Sequence, residues 1–318
     1  MNVKVLVTGA KGFIGSHLVN HLKQQGYWVR AVDITDKCFL ITKEDEFWSL
    51  NLKNPLQAIT ACHDIDWVFN LAANMGGIGY ITGTVDAEIM RDNALININV
   101  LEACRLQDVS RIFFSSSACT YPKYLQEISE VKGLKESDVL PAEPDSMYGW
   151  EKLFSEFLYQ SYYIQFGLET RIARFHNIYG THCTWQGGQE KAPAALCRKV
   201  AEACNGGSVT VWGDGKQTRS FTYITDCLEA VCKLMNSDFR YPINIGTDEL
   251  VTIDELTQLI IGIAKKDLKI VHDTAKPQGV RGRNADLTLL KKKLNWQPKI
   301  TLIEGISHLY SWIESLIS

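Results

Sequence analysis

Three glycines, Gly9, Gly12 and Gly15, follow the first apolar run of the chain at intervals of three residues. Residues 3–8, before them, are apolar and β-branched, and residues 13–25, after them, carry apolar side chains at helical spacing. Glycine in such a turn lets the backbone approach a pyrophosphate, and the start of the helix adds free N–H groups and a partial positive charge. A turn without a ligand is the alternative, but this strand-turn-helix context favours a dinucleotide-binding β-α-β unit.

The alternation of apolar runs and helical patterns continues to about residue 178. Further short apolar runs cover residues 28–33, 67–71 and 111–115, and a long helical pattern covers residues 88–106. Continuous apolar strands between helices are typical of a parallel sheet covered on both faces. The predicted fold class is therefore α/β, a doubly wound parallel sheet of the Rossmann type with right-handed crossovers.

The second half of the chain is less regular. Its patterns predict helices at residues 192–204, 226–235, 253–264 and 302–317, and short strands at 209–212, 222–224 and 243–245. We predict an NAD-binding domain over residues 1–178 and a smaller C-terminal α/β substrate-binding region over residues 179–318. A segment near residues 219–247 is expected to return to the first domain.

The composition excludes several classes of protein. Of 318 residues, 46% are hydrophobic and 22% are charged, as in ordinary globular domains, which excludes a disordered or fibrous chain. The formal net charge of -3 gives no reason to expect a nucleic-acid partner. No apolar stretch approaches the ~18 residues of a membrane span, so we expect no membrane partner.

The nine cysteines are scattered and include no C-x-x-C pair, which disfavours zinc ribbons and thioredoxin-like chemistry. We expect no metal site. Scattered free thiols suit a reducing compartment, and the first strand begins too early to leave room for a signal peptide. The expected location is the cytoplasm.

Asp33 ends the second apolar run, eighteen residues after Gly15. A carboxylate there accepts hydrogen bonds from an adenosine ribose and repels a 2′-phosphate, which favours NAD over NADP. Lys11 and Arg30 are near these motifs and offer positive charge to a 2′-phosphate. The predicted cofactor is NAD, and NADP is the alternative.

Tyr148 and Lys152 are four residues apart and lie one turn from each other on a helix. A phenol is a poor base at neutral pH, but a nearby ammonium and an oxidised nicotinamide favour its phenolate. Ser117 follows an apolar strand, where its hydroxyl can hold a substrate alcohol. Each of these features is common by itself. A chain that has the glycine motif, then the serines at 115–117, then the Y-x-x-x-K pair is much rarer.

With these motifs the chain resembles the extended short-chain dehydrogenase/reductase family of nucleotide-sugar enzymes, over essentially its whole length. Further shared segments are residues 70–73, 174–180 and 212–221. The resemblance implies a redox triad of Ser117, Tyr148 and Lys152. It also implies that NAD contacts are made by Gly9, Gly12, Phe13, Ile14, Gly15, Asp33, Asn51, Leu71, Ala72, Ala73, Tyr148 and Lys152.

Within this family the chain is most similar to the group that epimerises carbons 3 and 5 of GDP-mannose to give GDP-L-galactose. The segments that carry this are residues 74–79, 116–122, 141–144, 187–195 and 279–284. The resemblance implies that Cys119 and Lys191 are the acid/base pair and that the protein is a homodimer. It implies substrate contacts at Gly76, Asn177, Glu190, Lys191, Ala192, Lys199, Gln217, Arg219 and Arg283.

The chain departs from that group in three places. Asn74 and Asn51 each stand where an Asp is usual, and residues 181–183 replace a Pro-Phe-Gly. Asn74 and residues 181–183 border the expected sugar pocket, so these departures bear on the identity of the sugar more than on the type of reaction.

The implied reaction explains why such residues are needed. Oxidation of carbon 4 to a ketone makes the protons on carbons 3 and 5 acidic, because the resulting carbanion is an enolate. Two groups on opposite faces of the ring then remove and return a proton. Which of Cys119 and Lys191 is the base stays open. Arg281 and Arg283, with Arg219 and Lys199, form a candidate diphosphate clamp.

Three other functions compete. A 4,6-dehydratase usually has Asp-Glu after the triad serine, whereas this chain has Ala118 and Cys119. A 4-dehydrogenase or epimerase for another GDP-hexose or a GDP-heptose would need the same triad, and an NAD-binding scaffold would not. His176 and the other eight cysteines are expected to be structural, and Trp185 is a candidate contact for the base or sugar.

Overall fold

In a computed structural model, which describes residues 3–81 and 85–317, the apolar runs of the first half form parallel strands. The strands of this half are β1 (Lys4–Thr8), β2 (Trp28–Asp33), β3 (Glu46–Ser49), β4 (Trp67–Asn70), β5 (Arg111–Ser117) and β6 (Glu169–Phe175). The helices are α1 (Phe13–Gln24), α2 (Pro55–Cys62), α3 (Ile78–Ile81), α4 (Asp86–Leu106) and α5 (Met147–Phe166).

The second half alternates short strands with longer helices. Its strands are β7 (Ile178–Tyr179), β8 (Ser208–Trp212), β9 (Thr218–Ser220), β10 (Thr222–Tyr223), β11 (Ile243–Ile245), β12 (Leu250–Thr252), β13 (Lys269–Asp273) and β14 (Gly282–Arg283). Its helices are α6 (Ala192–Glu202), α7 (Ile224–Asn236), α8 (Ile253–Ala264), α9 (Thr288–Leu294) and α10 (Leu302–Ile317). No helix in the described ranges is long and apolar enough to span a membrane.

Seven of the described strands form one parallel sheet in the order β3-β2-β1-β4-β5-β6-β11. The predicted fold class, a doubly wound parallel sheet, is confirmed. The chain adds strands outward from β1 to β3, then returns to the other side of β1 with β4. Ligands of such sheets bind at this reversal of strand order, at the carboxyl ends of the strands.

Side chains fix the ends of β1 and β4 at the reversal. The hydroxyl of Thr8 donates to Oδ1 of Asn70 over 2.6 Å and accepts from the backbone N–H groups of Leu71 and Ala72 over 3.1 Å each. The amide of Asn70 donates in turn to Asn97 of α4. All of these polar groups are buried or half-buried, so the crevice between the two strands has a fixed shape.

The two halves share a hydrophobic core. One cluster of buried side chains includes Val5 and Leu18 from the first half and Leu196, Ile260 and Ile306 from the second. β11 lies at the end of the main sheet beside β6, whereas β9, β12 and β14 form a separate three-stranded sheet. The division at residue 178 stays a prediction.

A buried ion pair joins α5 to β6. The guanidinium of Arg174 donates from Nε and Nη2 to the two carboxylate oxygens of Glu156 over 2.8 and 2.7 Å, and both side chains are at most 2% exposed. Ser116 of β5 donates to the same carboxylate. α5 is therefore attached to the sheet by charge as well as by apolar packing.

We predict that Glu156→Gln destabilises the protein by about 3 kcal/mol, because it leaves a buried guanidinium without its counter-charge. The measurement is the free energy of unfolding in urea. Glu202→Gln is the control, since it breaks the half-exposed pair with Arg198 and is expected to cost at most about 0.5 kcal/mol. Equal losses in the two variants would contradict the importance of the buried pair.

Candidate active site

A cleft of about 1000 Å³ opens at the carboxyl ends of the parallel strands and continues into the second half of the chain. Apart from Arg281 and Trp185, every residue that the sequence proposes for catalysis, cofactor or substrate lines it. They are Gly9, Gly12, Phe13, Ile14, Gly15, Asp33, Asn51, Leu71, Ala72, Ala73, Gly76, Ser117, Cys119, Tyr148, Lys152, Asn177, Glu190, Lys191, Ala192, Lys199, Gln217, Arg219 and Arg283. The structure thus brings the set together, while their individual roles stay predictions.

The glycine motif is a close-packed turn. Gly9 has a φ of 63°, and its carbonyl accepts from the N–H of Gly12 over 3.1 Å. A Cβ on Gly9 would lie 2.9 Å from the backbone nitrogen of Ala72, and one on Gly15 would overlap the carbonyl oxygen of Gly9. Small residues are therefore required where α1 starts against β1 and β4. This cradle fits a dinucleotide pyrophosphate.

Asp33, the predicted partner of the adenosine ribose, ends β2 and lines the cleft. Its Oδ2 accepts from the backbone N–H of Lys11 over 2.9 Å, which ties the end of β2 to the glycine turn. Its Oδ1 accepts from the N–H of Thr35 over 3.3 Å. The carboxylate lines the cleft, where it fits the ribose of NAD.

Tyr148 and Lys152 lie on one face of α5, and Ser117 ends the facing strand β5. Burial raises the pKa of Tyr148, with Cys119 and Glu151 adding to the effect and a hydrogen bond with Ser117 opposing it. Burial lowers the pKa of Lys152, whose Nζ lies 5.6 Å from the centre of the Tyr148 ring. Burial therefore favours the uncharged forms of both side chains in this structure.

Behind the triad lies a polar network that the sequence did not reveal. The buried carboxylate of Glu151 accepts from the amides of Asn93 and Asn97 and from the hydroxyl of Ser155, at 2.7 to 3.2 Å. The negative charge of Glu151 favours the ammonium of Lys152. The hydrophobic pattern of a single helix does not predict which polar side chains of α4 contact Glu151 of α5.

Cys119 is held between the triad and a buried arginine. Its N–H donates to Ser117 Oγ over 3.1 Å, and Nη1 of Arg283 donates to its Sγ over 3.2 Å. Arg283 also donates to Gln126 and Asp145. Arg283 lines the cleft, where it is predicted to contact the substrate, and these three hydrogen bonds hold its guanidinium beside Cys119. The contacts of Gln126 and Asp145 with Arg283 were missed, because both residues lie more than a hundred positions before Arg283 in the sequence.

Lys191 immediately precedes α6 and lines the cleft in the second half of the chain. Burial lowers the pKa of its ammonium, and the nearby side chains of Cys119, Cys183 and Cys227 oppose the shift. Cys119 is thus near enough to interact electrostatically with Lys191, although 72 residues separate them.

Three of the four basic residues of the candidate diphosphate clamp line the cleft, namely Lys199, Arg219 and Arg283. Arg281 forms an ion pair with Asp214 and is not among the residues that line the cleft. Lys199 donates to the carbonyl of Thr210. Among the described residues, Arg219 donates to the backbone carbonyls of Thr218, Gln278 and Val280, and burial together with repulsion from Arg283 lowers its pKa to about 9.

Of the aromatic residues singled out in the sequence, Trp185 lies outside the cleft and His176 is buried. Trp185 packs against the hydrophobic core, whereas Trp212 of β8 lines the cleft with Lys199 5.7 Å from its ring centre. The sequence pointed to Trp185 because of the nearby glycines Gly187 and Gly188, of which Gly188 lines the cleft. Burial lowers the pKa of His176 to about 3, so this ring is neutral and structural, as expected.

Gly15→Ala is predicted to abolish NAD binding, because the added methyl group overlaps the Gly9 carbonyl and forces α1 away from the turn. The measurement is NAD content of the purified protein and calorimetric affinity for added NAD. Gly262→Ala is the matched control: its Cβ meets open space within α8 and should stabilise the helix by about 1 kcal/mol with binding unchanged. Undiminished binding in Gly15→Ala would contradict the cradle.

Residues 5–246 match the model of the NAD dependent epimerase/dehydratase family. GDP-mannose 3,5-epimerase of Arabidopsis thaliana is 45% identical over 322 residues, which cover 99% of this chain and 83% of that protein. GDP-mannose 3,5-epimerase 1 of Oryza sativa subsp. indica is 45% identical over 321 residues, or 99% of this chain and 82% of that protein.

Solved structures show the same architecture. UDP-glucose 4-epimerase of Thermotoga maritima with UDP-glucose aligns at a TM-score of 0.90 and 26% identity, over 99% of this chain and 100% of that chain. UDP-glucose 4-epimerase of Thermus thermophilus in complex with NAD aligns at a TM-score of 0.82 and 25% identity, over 98% of this chain and 99% of that chain.

Proposed function

The chain belongs to the NAD-dependent epimerase/dehydratase family, and we propose that it converts GDP-mannose to GDP-L-galactose by epimerisation at carbons 3 and 5. The observation that carries the proposal is that Cys119 and Lys191 line the same cleft as the complete triad. Two plant relatives that are 45% identical over nearly the whole chain bear the name of this activity. A simple 4-epimerase or dehydrogenase has no use for this second pair.

In the proposed reaction Ser117 and Tyr148 hold the hydroxyl group of carbon 4, and Tyr148 takes its proton. Bound NAD supplies the hydride acceptor at carbon 4 and, at the end of the cycle, the hydride donor. Lys152 stabilises the phenolate of Tyr148 by its charge, which Glu151 sustains. The final reduction returns the proton from Tyr148 to the carbon 4 oxygen.

While carbon 4 is a ketone, Cys119 and Lys191 exchange protons with carbons 3 and 5. Each group removes a proton from one face of the ring or returns one to the other face. Arg283 positions Cys119 by its hydrogen bond to Sγ. Burial lowers the pKa of Lys191, which brings its ammonium nearer to the range where it can lose and regain a proton at neutral pH.

The decisive experiment is incubation of the protein with GDP-mannose in deuterated water. Deuterium is expected at carbons 3 and 5, together with GDP-L-galactose, as measured by NMR and mass spectrometry. No exchange, or exchange without an epimer, would contradict the proposal for this substrate.

Variants separate the two chemical stages. Cys119→Ser and Lys191→Ala are expected to lower the exchange rate at least ~100-fold while NAD stays bound, because acid/base groups contribute roughly 10²–10⁴-fold. Tyr148→Phe should prevent substrate-dependent formation of NADH. Cys204→Ser changes an exposed thiol outside the cleft and is expected to leave exchange unchanged. Unaltered exchange in either of the first two variants would remove that residue from the mechanism.

The alternative substrate is another GDP-hexose or a GDP-heptose. The observation that favours it is the segment 181–183, which departs from the pattern of the epimerase group and places Cys183 on the cleft wall. His182 has a φ of 57°, so the backbone path there is unusual. Exchange from a GDP-heptose, with none from GDP-mannose, would support this alternative.

We infer a homodimer from α4 and α5. Apolar side chains at helical spacing on their outer faces are 39–80% exposed, namely Leu95, Ile98, Leu106, Trp150, Phe154, Phe157 and Ile164. The two helices pack against each other, so their exposed apolar side chains form one surface that fits a second copy as a four-helix bundle.

The nine cysteines are free thiols, which supports a cytoplasmic location.

Phe154→Glu is predicted to convert the dimer to a monomer, because it places a carboxylate in the middle of the apolar surface. The molar mass in solution is measured by light scattering after gel filtration. Ile303→Glu, at an exposed position of α10, is the control and should leave the mass unchanged. A dimer that persists in Phe154→Glu would place the interface elsewhere.

A further inference from the structure

Two basic residues near Asp33, Lys11 and Arg30, are candidates for binding the 2′-phosphate of NADP. Lys11 lies inside the glycine motif, and its backbone N–H donates to Asp33, the residue predicted to contact the ribose of the cofactor. From this position a lysine side chain can reach a phosphate on that ribose. Arg30 of β2 is a second candidate, only three residues before Asp33.

Arg30 is unavailable to a ligand. Its side chain is 6% exposed, donates to Glu46 and to the carbonyls of Ala61 and His63, and lies 3.9 Å from the centre of the Trp48 ring. It is absent from the residues that line the cleft. The discrimination therefore depends on Lys11.

Lys11 lines the cleft, but its charge is taken up by the loop after β2. Nζ donates to Oε1 of Glu44 over 2.7 Å and to the hydroxyl of Thr42 over 2.6 Å, and it lies 4.4 Å from the centre of the Phe47 ring. The side chains of Lys11 and Glu44 are only 9% and 11% exposed. The ammonium is thus enclosed by protein groups on several sides.

Glu44 is ionised in this setting. Burial raises the pKa of its carboxyl group, but hydrogen bonds from Lys11 and Thr42 outweigh that effect and bring the pKa below its ordinary value. Its second oxygen, Oε2, is buried and has no hydrogen-bond partner among the described residues. The carboxylate therefore depends on Lys11 for its stability, and the pair resists separation.

We propose that Glu44 sets the preference for NAD over NADP by locking Lys11 in an ion pair. A 2′-phosphate entering this end of the cleft would meet the carboxylate of Asp33 and a lysine whose charge is already neutralised. To bind the phosphate, Lys11 would have to leave Glu44 as an unpaired buried charge. Asp33 repels the phosphate directly, whereas Glu44 acts from outside the cleft by withholding the cation.

The test compares the two dinucleotides at equilibrium, without any sugar. The protein is equilibrated with a mixture of NAD and NADP, free nucleotide is removed, and bound nucleotide is quantified by chromatography. Glu44→Gln and Glu44→Ala are both expected to raise the ratio of bound NADP to NAD by about tenfold, since a charge-assisted hydrogen bond to the phosphate becomes possible. Two variants guard against one that fails to fold.

A second measurement shows whether the gain acts through Lys11. In a Lys11→Gln background the same Glu44→Gln substitution should raise the ratio less than twofold. An equally large gain in that background would overturn the proposal, because removal of negative charge alone would then suffice. An unchanged ratio in both single variants would overturn it as well.

Asp45→Asn is the matched control. Asp45 is the next carboxylate in the chain, but it pairs with Lys23 and with the backbone N–H of Val29. Its substitution is expected to leave the nucleotide ratio unchanged, and a change as large as that of Glu44→Gln would contradict the special position of Glu44. The proposal rests on the family's use of NAD and not on the sugar, so its failure leaves the epimerase test unaffected.

Discussion

The close approach of α1 to the turn at Gly9 governs the arrangement of the cleft. Because a Cβ on Gly15 would overlap the Gly9 carbonyl, only glycine allows the helix to start directly above the gap between β1 and β4. The hydrogen bond between Thr8 of β1 and Asn70 of β4 fixes the width of that gap. A pyrophosphate site therefore results from backbone geometry, with little contribution from charged side chains.

The catalytic half of the cleft depends instead on buried charge. α5 carries Tyr148 and Lys152 on the face toward the cleft, and Glu151 and Glu156 on the faces toward α4 and β6. The two carboxylates are satisfied by amides, hydroxyl groups and Arg174, so their desolvation is compensated. They fix the helix and sustain the positive charge of Lys152. The same side chains thus serve the fold and the proposed chemistry.

Local patterns in the sequence predicted the strands, the glycine turn and the Tyr148–Lys152 pair, because each is encoded within a few neighbouring residues. β6 was missed, since Glu169, Arg171 and Arg174 interrupt its apolar run. Arg171 pairs with Glu169 of the same strand and donates to Ser237, and Arg174 pairs with Glu156 of α5. The contact between Arg283 and Cys119 joins residues 164 positions apart. The ion pair of Lys11 with Glu44 depends on the path of an irregular loop. Such contacts exist only once the chain is folded, so no local pattern reports them.

The two ends of the cleft treat charge in opposite ways. At the adenosine end Lys11 and Arg30 are neutralised by Glu44 and Glu46, which leaves Asp33 to select a neutral ribose. At the other end Arg219 donates to backbone carbonyls and faces Arg283, whose repulsion contributes to lowering its pKa to about 9. An anion bound between these arginines would relieve that repulsion and favour both guanidinium charges. A net charge of -3 over the whole chain hides this asymmetry. A 2′-phosphate is thus disfavoured where Lys11 is paired with a carboxylate, whereas an anion is favoured beside Arg219, whose guanidinium donates to backbone carbonyls.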